Sequence, residues 1–229
     1  MLSRFYFSGV VLLLFLSLSL QAEERSFKAQ NYFIKKDYIA RTDYSHYDDR
    51  WRKDDCQDEV YALAHSVATE NSFTRITDIG CGSAFKLIKY FDMFDTEGYE
   101  IEPTLSYLKE RYPTRSWEFS DLSSTPVVLE TDIIVCADVV EHLVDPDQLL
   151  KFINRFDFKF LIISTPDRDQ LLKYQNNRQS QSGPPVNPHH IREWGHREFE
   201  QYISQFFNIV SHINTKKEYW GQVIVATKK

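Results

Sequence analysis

The sequence has few cysteines and no excess of positive charge. The 229 residues include three cysteines and carry a formal net charge of −6 at pH 7. Cys56, Cys81 and Cys136 are too few and too unevenly spaced for a disulfide framework. Proteins built to bind nucleic-acid phosphates are usually strongly basic, so nucleic acid is an unfavoured partner. A small or uncharged substrate fits this composition better.

Long hydrophobic runs are also lacking, except near the first residue. After Arg4, an apolar run over residues 5–20 leads to Ala22, a small residue suited to a cleavage point. The run is shorter than the roughly 20 residues that span a membrane. We therefore predict that residues 1–22 are a signal peptide or a short membrane anchor. The alternative is a mis-assigned start, although the only later methionine, Met93, lies inside the predicted fold.

The remaining chain divides into an arm and one domain. Residues 23–56 are rich in aromatic and charged side chains without a clean period, and we predict an irregular N-terminal arm. Residues 57–229 form the predicted domain, in which apolar runs alternate with helical patterns, as in a parallel sheet covered on both faces. Strands are predicted at residues 75–79, 97–101, 116–119, 132–137, 158–164, 208–214 and 221–227, and helices at 57–71, 85–91, 104–111, 147–155 and 197–206. The polar segment 176–188 is predicted to be a mobile loop over the site.

A glycine-rich segment follows the first predicted strand, where doubly wound sheets bind their ligands. Its sequence is Asp78-Ile-Gly80-Cys-Gly82-Ser83, and the glycines permit a tight turn close to a ligand. Glu100 ends the second strand about 20 residues later, where a carboxylate can bind a ribose diol. A pyrophosphate would need a small residue in place of Phe85 and would be repelled by Asp78. The loop therefore favours a ligand with an amine and a sulfonium over a nicotinamide dinucleotide.

Five segments in this order resemble the successive motifs of class I S-adenosylmethionine-dependent methyltransferases. They are DIGCGS from residue 78, GYEIEP from 98, SD from 120, DIIVCADVVEHL from 132 and LIISTPD from 161. The resemblance covers roughly residues 57–227. It implies an α/β, Rossmann-like fold with a seven-stranded, mostly parallel sheet, helices on both faces and an antiparallel last strand.

The same resemblance implies which residues hold the donor, S-adenosylmethionine. Asp78 and the loop backbone would bind the methionine part, Glu100 the ribose hydroxyls, and Asp121 the adenine amino group. The full set carried over is Asp78, Gly80, Gly82, Ser83, Glu100, Asp121, Leu122, which would flank the adenine, and Asp138. Two alternatives stay open at this point. Asp121 could instead cap a turn, and Glu100 could be a solvated strand end.

A second set of polar residues follows the fourth strand. Asp138, Glu141 and His142 are close in sequence, and His190 comes just after the predicted mobile loop. Two carboxylates and two imidazoles suit a divalent metal ion. The set resembles the metal sites of small-RNA 2'-O-methyltransferases and ubiquinone-pathway O-methyltransferases, except that Asp138 stands where those families usually have Glu. Alternatively, His142 or His190 is a metal-free catalytic base, and His189 could replace His190.

These observations predict O-methylation of a hydroxylated small molecule or saccharide. Methylation of an RNA 3'-terminal ribose is the first alternative, and a donor-binding protein without turnover is the second. Localisation stays open, because the resemblance implies a donor made in the cytosol whereas residues 1–22 indicate a secretory route or membrane attachment. The sequence does not indicate an oligomeric state.

Overall fold

The computed structural model describes most of the predicted domain. The described residues are 48, 50–51, 56–123, 125–126, 130–174, 185, 187–216 and 220–229. The predicted leader, most of the predicted arm and most of the predicted loop at 176–188 lie outside them. Within the described ranges, no helix has the length and apolar character needed to cross a membrane.

Seven strands form a single sheet. They are β1 (Arg75–Ile79), β2 (Asp95–Glu100), β3 (Ser116–Phe119), β4 (Ile133–Ala137), β5 (Phe160–Pro166), β6 (Phe207–Asn214) and β7 (Gly221–Lys228). Their order across the sheet is β3-β2-β1-β4-β5-β7-β6. The strands β1 to β5 pair in parallel, and β7 lies antiparallel between β5 and β6. The predicted fold class and the antiparallel last strand are therefore confirmed.

Helices connect and cover these strands. They are α1 (Asp58–Glu70), α2 (Phe85–Phe91), α3 (Thr104–Arg111), α4 (Pro146–Ile153), α5 (Arg168–Tyr174) and α6 (His196–Ile203), with a 3-10 helix at Val140–His142. Four predicted helix positions agree with α1 to α4 within two residues at each end, and α6 ends three residues earlier than predicted. Helix α5 was not predicted. It begins where the Asp167 carboxylate accepts the Asp169 backbone N–H at 2.9 Å, an N-terminal cap that follows β5 directly.

The sequence of β4 is an unbroken apolar run because the strand lies in the core. All five of its residues are buried, because β1 and β5 flank it and helices cover the sheet. Space on β2 is limited as well, since a Cβ on Gly98 would lie 2.5 Å from the Trp117 ring. The carboxyl ends of β1, β2, β4 and β5 meet at one edge of the sheet because these strands are parallel. The predicted site residues therefore converge on that edge.

Candidate active site

The loop after β1 has the backbone that its glycines predicted. Gly80 and Gly82 have φ angles of 76° and 54°, in the left-handed region where a side chain is strained. The Gly80 and Cys81 N–H groups donate to the Tyr99 carbonyl at 2.9 and 3.3 Å. A Cβ on Gly80 would lie 2.4 Å from Cγ2 of Val139. The loop thus packs its bare backbone against the residue that follows Asp138.

Asp78 is fully buried at the end of β1, with 0% of its surface exposed. The Tyr61 hydroxyl on α1 donates to Oδ2 at 2.9 Å. Oδ1 is buried and accepts no hydrogen bond from any described residue. Burial raises the pKa of Asp78 to about 7, against the lowering effect of the Tyr61 hydrogen bond. An ammonium group would give Oδ1 the partner and the positive charge that it lacks.

Glu100 and Asp121 have different surroundings. The Glu100 carboxylate is 8% exposed and accepts the N–H groups of Gly82 at 2.7 Å and Ile101 at 2.8 Å, so it is not a solvated strand end. Because each carboxylate oxygen can accept more than one hydrogen bond, a ribose hydroxyl can still bind. Asp121 is exposed, and its Oδ1 accepts from the N–H and hydroxyl of Ser123, the turn that we considered as its alternative role. Adenine contacts by Asp121 stay a prediction.

Two further donor-site predictions, Ser83 and Leu122, fall on the same edge. Ser83 is buried in the glycine loop, and Leu122 is half-buried next to Asp121. These positions agree with a loop that surrounds the donor and a side chain that flanks its adenine. Neither contact is tested by the protein atoms alone, so both stay predictions.

Glu141, His142 and His190 come together although 48 residues separate the two histidines. One ligand atom from each lies within 4.8 Å of the other two. The two imidazole rings meet edge to face, with centroids 5.0 Å apart and planes at 77°. Glu141 is buried, its Oε2 accepts the Thr165 hydroxyl at 3.1 Å, and its Oε1 accepts no hydrogen bond from the described residues. Burial, with the nearby Asp138 charge, raises the pKa of Glu141.

Hydrogen bonds assign the protonation of both rings. His142 Nδ1 lies 3.0 Å from the His189 carbonyl, so Nδ1 donates and Nε2 keeps its lone pair. The Asn187 side-chain oxygen accepts the His189 N–H at 3.0 Å, which turns the amide Nδ2 toward His190 Nε2 at 2.9 Å. His190 Nε2 therefore accepts, and Nδ1 donates to Glu193 Oε1 at 2.6 Å. His142 Nε2 thus keeps a lone pair that can bind a cation or a proton, whereas the lone pair of His190 Nε2 accepts from Asn187 and reaches a cation only if the Asn187 amide turns away.

Asp138 does not belong to this group of three ligand atoms. A helical turn would place Asp138 and His142, which are four residues apart, on one face. Asp138 instead has a φ of 56°, so the chain turns sharply before the short 3-10 helix begins. Its Oδ1 accepts the Ser164 hydroxyl at 2.7 Å. The structure therefore unites three of the four predicted ligands and places Asp138 beside them.

Several site residues were not predicted from the sequence. Tyr61, Asn187 and Glu193 each hold a functional side chain in place. The three-residue spacing of Asn187, His190 and Glu193 is the one local signal that could have found two of them. Trp194, which could have lined the acceptor pocket or the core, is a core residue, 1% exposed and stacked on Tyr202.

Comparison with known proteins decides the family. The family model of a methyltransferase domain matches residues 49–212. This chain belongs to that methyltransferase family. It is a class I, S-adenosylmethionine-dependent methyltransferase, as the five motifs predicted. No curated protein shows a significant match to the chain.

Solved structures share the fold of this methyltransferase at low identity. The PH0226 protein from Pyrococcus horikoshii OT3 is 16% identical with a TM-score of 0.60, over 81% of this chain and 98% of its own. Magnesium protoporphyrin IX methyltransferase from Synechocystis PCC 6803, with bound SAH, is 12% identical with a TM-score of 0.58, over 90% and 95%. The small RNA methyltransferase HEN1 is 19% identical with a TM-score of 0.56, over 84% of this chain and 27% of its own. At these identities the likeness shows the fold alone.

Replacing Asp78 with asparagine tests the buried carboxylate of this methyltransferase. The ionised carboxylate is the form that attracts the donor ammonium, and the pKa of Asp78 is about 7. Donor affinity of the wild type is therefore expected to fall as the pH drops from about 7.5 to about 5.5, a range below the pKa of an α-amino group. Asp78→Asn should bind more weakly and lose this pH dependence. Calorimetric titration with the donor at several pH values measures both effects.

The free energy of unfolding should depend on pH in the opposite sense to donor affinity, falling as the pH rises. The pKa of Asp78 rises from its ordinary value of 3.8 to about 7 on folding, so the folded chain holds the proton more tightly. Its contribution to the free energy of unfolding is complete below about pH 4 and is lost as the pH rises through about 7. Asp78→Asn should therefore be more stable than the wild type at about pH 8, and this gain should shrink at about pH 5. A pH-independent difference would contradict the assignment.

Proposed function

We propose that this methyltransferase transfers the methyl group to a hydroxyl oxygen of a small-molecule or saccharide acceptor. The observation that carries this proposal is the meeting of Glu141, His142 and His190 within 4.8 Å at the edge of the sheet where the glycine loop lies. Such a group can bind and deprotonate a hydroxyl, whereas a strongly nucleophilic nitrogen or sulfur acceptor would not require it. The acidic net charge of −6 favours these acceptors over RNA.

We further propose that a divalent metal ion binds this group. The residues fit an ion, because His142 Nε2 and the His190 ring lie close to a buried Glu141 oxygen that accepts no hydrogen bond from the described residues. Binding by His190 Nε2 would require the Asn187 amide, which now donates to it, to turn away. The His189 carbonyl and Glu193 would hold the two rings in place from behind, as partners of metal-bound histidines commonly do. A divalent ion lowers the pKa of a hydroxyl bound to it.

Residues of this chain would orient the donor and the acceptor relative to each other. Asp78, Glu100 and the bare backbone at Gly80 would position the donor, whose sulfonium makes its methyl group a strong electrophile. His142 and His190 would hold the acceptor hydroxyl beside it, and the neutral Nε2 of His142 could take the hydroxyl proton if no ion is bound. Proximity and alignment would then provide much of the rate enhancement.

The decisive experiment measures methyl transfer from labelled donor by the full chain. Acceptor pools would contain hydroxylated small molecules, saccharides or RNA with a free 3' end, each with and without a chelator. We expect transfer to one of the first two pools, loss of activity on chelation and recovery on adding a divalent ion. Tight donor binding without transfer would show a non-catalytic donor-binding protein, and transfer to RNA alone would favour the RNA alternative.

The metal proposal has its own outcome. Full activity in the presence of the chelator would contradict it while leaving O-methylation intact, and His142 or His190 would then act as a base. If activity survives the chelator, the metal content of the active protein must be measured. It shows whether an ion was still bound or whether the reaction needs none.

A further inference from the structure

A second group of nitrogen and oxygen ligands lies where α6 meets the edge strand β6. His196 begins α6, Glu200 follows one turn later, and His212 lies on β6. One ring nitrogen of each histidine and one carboxylate oxygen lie within 4.8 Å of one another. None of these residues belongs to the donor loop or to the Glu141 group, so methyl transfer does not explain them.

Gln222 fixes the proton on His212. Its side-chain nitrogen donates to two buried backbone carbonyls, at Pro166 and Trp194, so its oxygen must face His212 Nε2 at 3.1 Å. Nε2 therefore carries a hydrogen and donates to Gln222. The other nitrogen, Nδ1, lies 3.3 Å from Glu200 Oε2. A neutral His212 thus points a lone pair at a carboxylate oxygen, and these two atoms repel unless a cation lies between them.

The surroundings add negative charge and electron pairs. His196 Nδ1 lies 3.9 Å from Asp167 Oδ2, and this buried nitrogen makes no hydrogen bond with the described residues. Two carboxylates and two imidazoles therefore lie close together at the start of α6.

We propose that His196, Glu200 and His212 bind a divalent transition metal ion, with Zn²⁺ as the best match. Two imidazoles and one carboxylate are ligands that Zn²⁺ prefers, and three protein ligands leave a fourth position for water. His196 and Glu200 are four residues apart on one helix, a spacing that brings side chains to one face. The ion would join α6 to the edge strand and stabilise the folded chain.

Ion binding requires one local rearrangement. The His196 and His212 rings are stacked, with centroids 3.6 Å apart and planes at 7°. An ion must lie near the plane of each ring that ligates it, so parallel rings cannot share one ion. The His212 side chain is 4% exposed and fixed, whereas those of His196 and Glu200 are 35% and 52% exposed and can turn toward it.

The test uses the full chain without a polyhistidine tag. It carries His190→Ala, which removes one ligand from the group of Glu141, His142 and His190. Zn²⁺ is titrated into this protein by calorimetry in competition with a chelator of known affinity. We expect one equivalent to bind and the melting temperature to rise. Adding Glu200→Gln or His196→Gln should weaken binding at least about tenfold, whereas Glu110→Gln, at an exposed position on α3, should leave it unchanged.

Glu200 is exposed and His196 is partly exposed, and circular dichroism of each variant shows whether the fold is kept. Binding that is lost in Glu200→Gln and His196→Gln but kept in Glu110→Gln supports the site. The proposal is overturned if the His190→Ala protein binds no Zn²⁺, or if all three substitutions leave the affinity unchanged. Neither result depends on the acceptor of methyl transfer.

Discussion

Replacing His190 with alanine is expected to lower kcat/KM for methyl transfer by about 100-fold or more, while donor affinity stays within about twofold. The substitution removes an imidazole ring that lies with His142 and Glu141 around the proposed hydroxyl site, and the donor loop lies on other residues. It leaves the backbone of the 187–193 segment in place. Steady-state rates at saturating donor, together with calorimetric donor binding, separate the two effects.

Two neighbouring substitutions make this prediction specific. Glu193→Gln keeps an oxygen that can accept from His190 Nδ1 but removes the charge, so we expect a loss of about tenfold. His189→Ala should cost much less, because His189 contributes its backbone carbonyl to His142. A large loss in His189→Ala with full activity in His190→Ala would reverse the assignment of the two histidines.

Gly80→Ala is expected to weaken donor binding by at least about tenfold, which corresponds to about 1.4 kcal/mol. Alanine at a φ of 76° is strained by about 1–2 kcal/mol. Its Cβ would also lie 2.4 Å from Val139 Cγ2, so the loop or Val139 must move. Calorimetric titration with the donor measures the affinity, and circular dichroism shows whether the fold is kept.

A double substitution separates the overlap from the backbone strain. Val139→Ala removes the methyl groups that the new Cβ would meet, so Gly80→Ala/Val139→Ala should recover part of the donor affinity. The loss of donor affinity that remains in the double variant measures the strain of the left-handed backbone at residue 80. Wild-type affinity in Gly80→Ala alone would show that the donor does not depend on this loop.

The sheet and the donor loop were predictable because local patterns determine them. The bounds of β1, β3, α2 and α3 match the prediction to the residue. β2 begins two residues earlier than expected, at Asp95, whose carboxylate pairs with Arg75 across the strand ladder at 2.7 Å. Polar residues can extend a strand through such pairs, and an apolar pattern does not reveal them.

The histidine side of the site was only partly predictable. His142 and His190 were identified from residue type and motif, but the partners that fix their protons depend on the folded path of residues 187–193. Tyr61 reaches Asp78 from a helix 17 residues earlier, where nothing in the local sequence indicates the contact. The left-handed turn at Asp138, a non-glycine residue, also changed which ligands meet.

The division of the site along the chain has a consequence for how this enzyme can diverge. The residues predicted for the methionine and ribose parts of the donor lie between 78 and 100, in and beside the buried core, whereas Asn187, His190 and Glu193 lie within seven residues of the connection before α6. Substitutions in that connection can alter acceptor preference without disturbing the strands that hold the donor loop. Related enzymes could thus acquire new acceptors by drift in about ten residues while the ancestral donor chemistry persists.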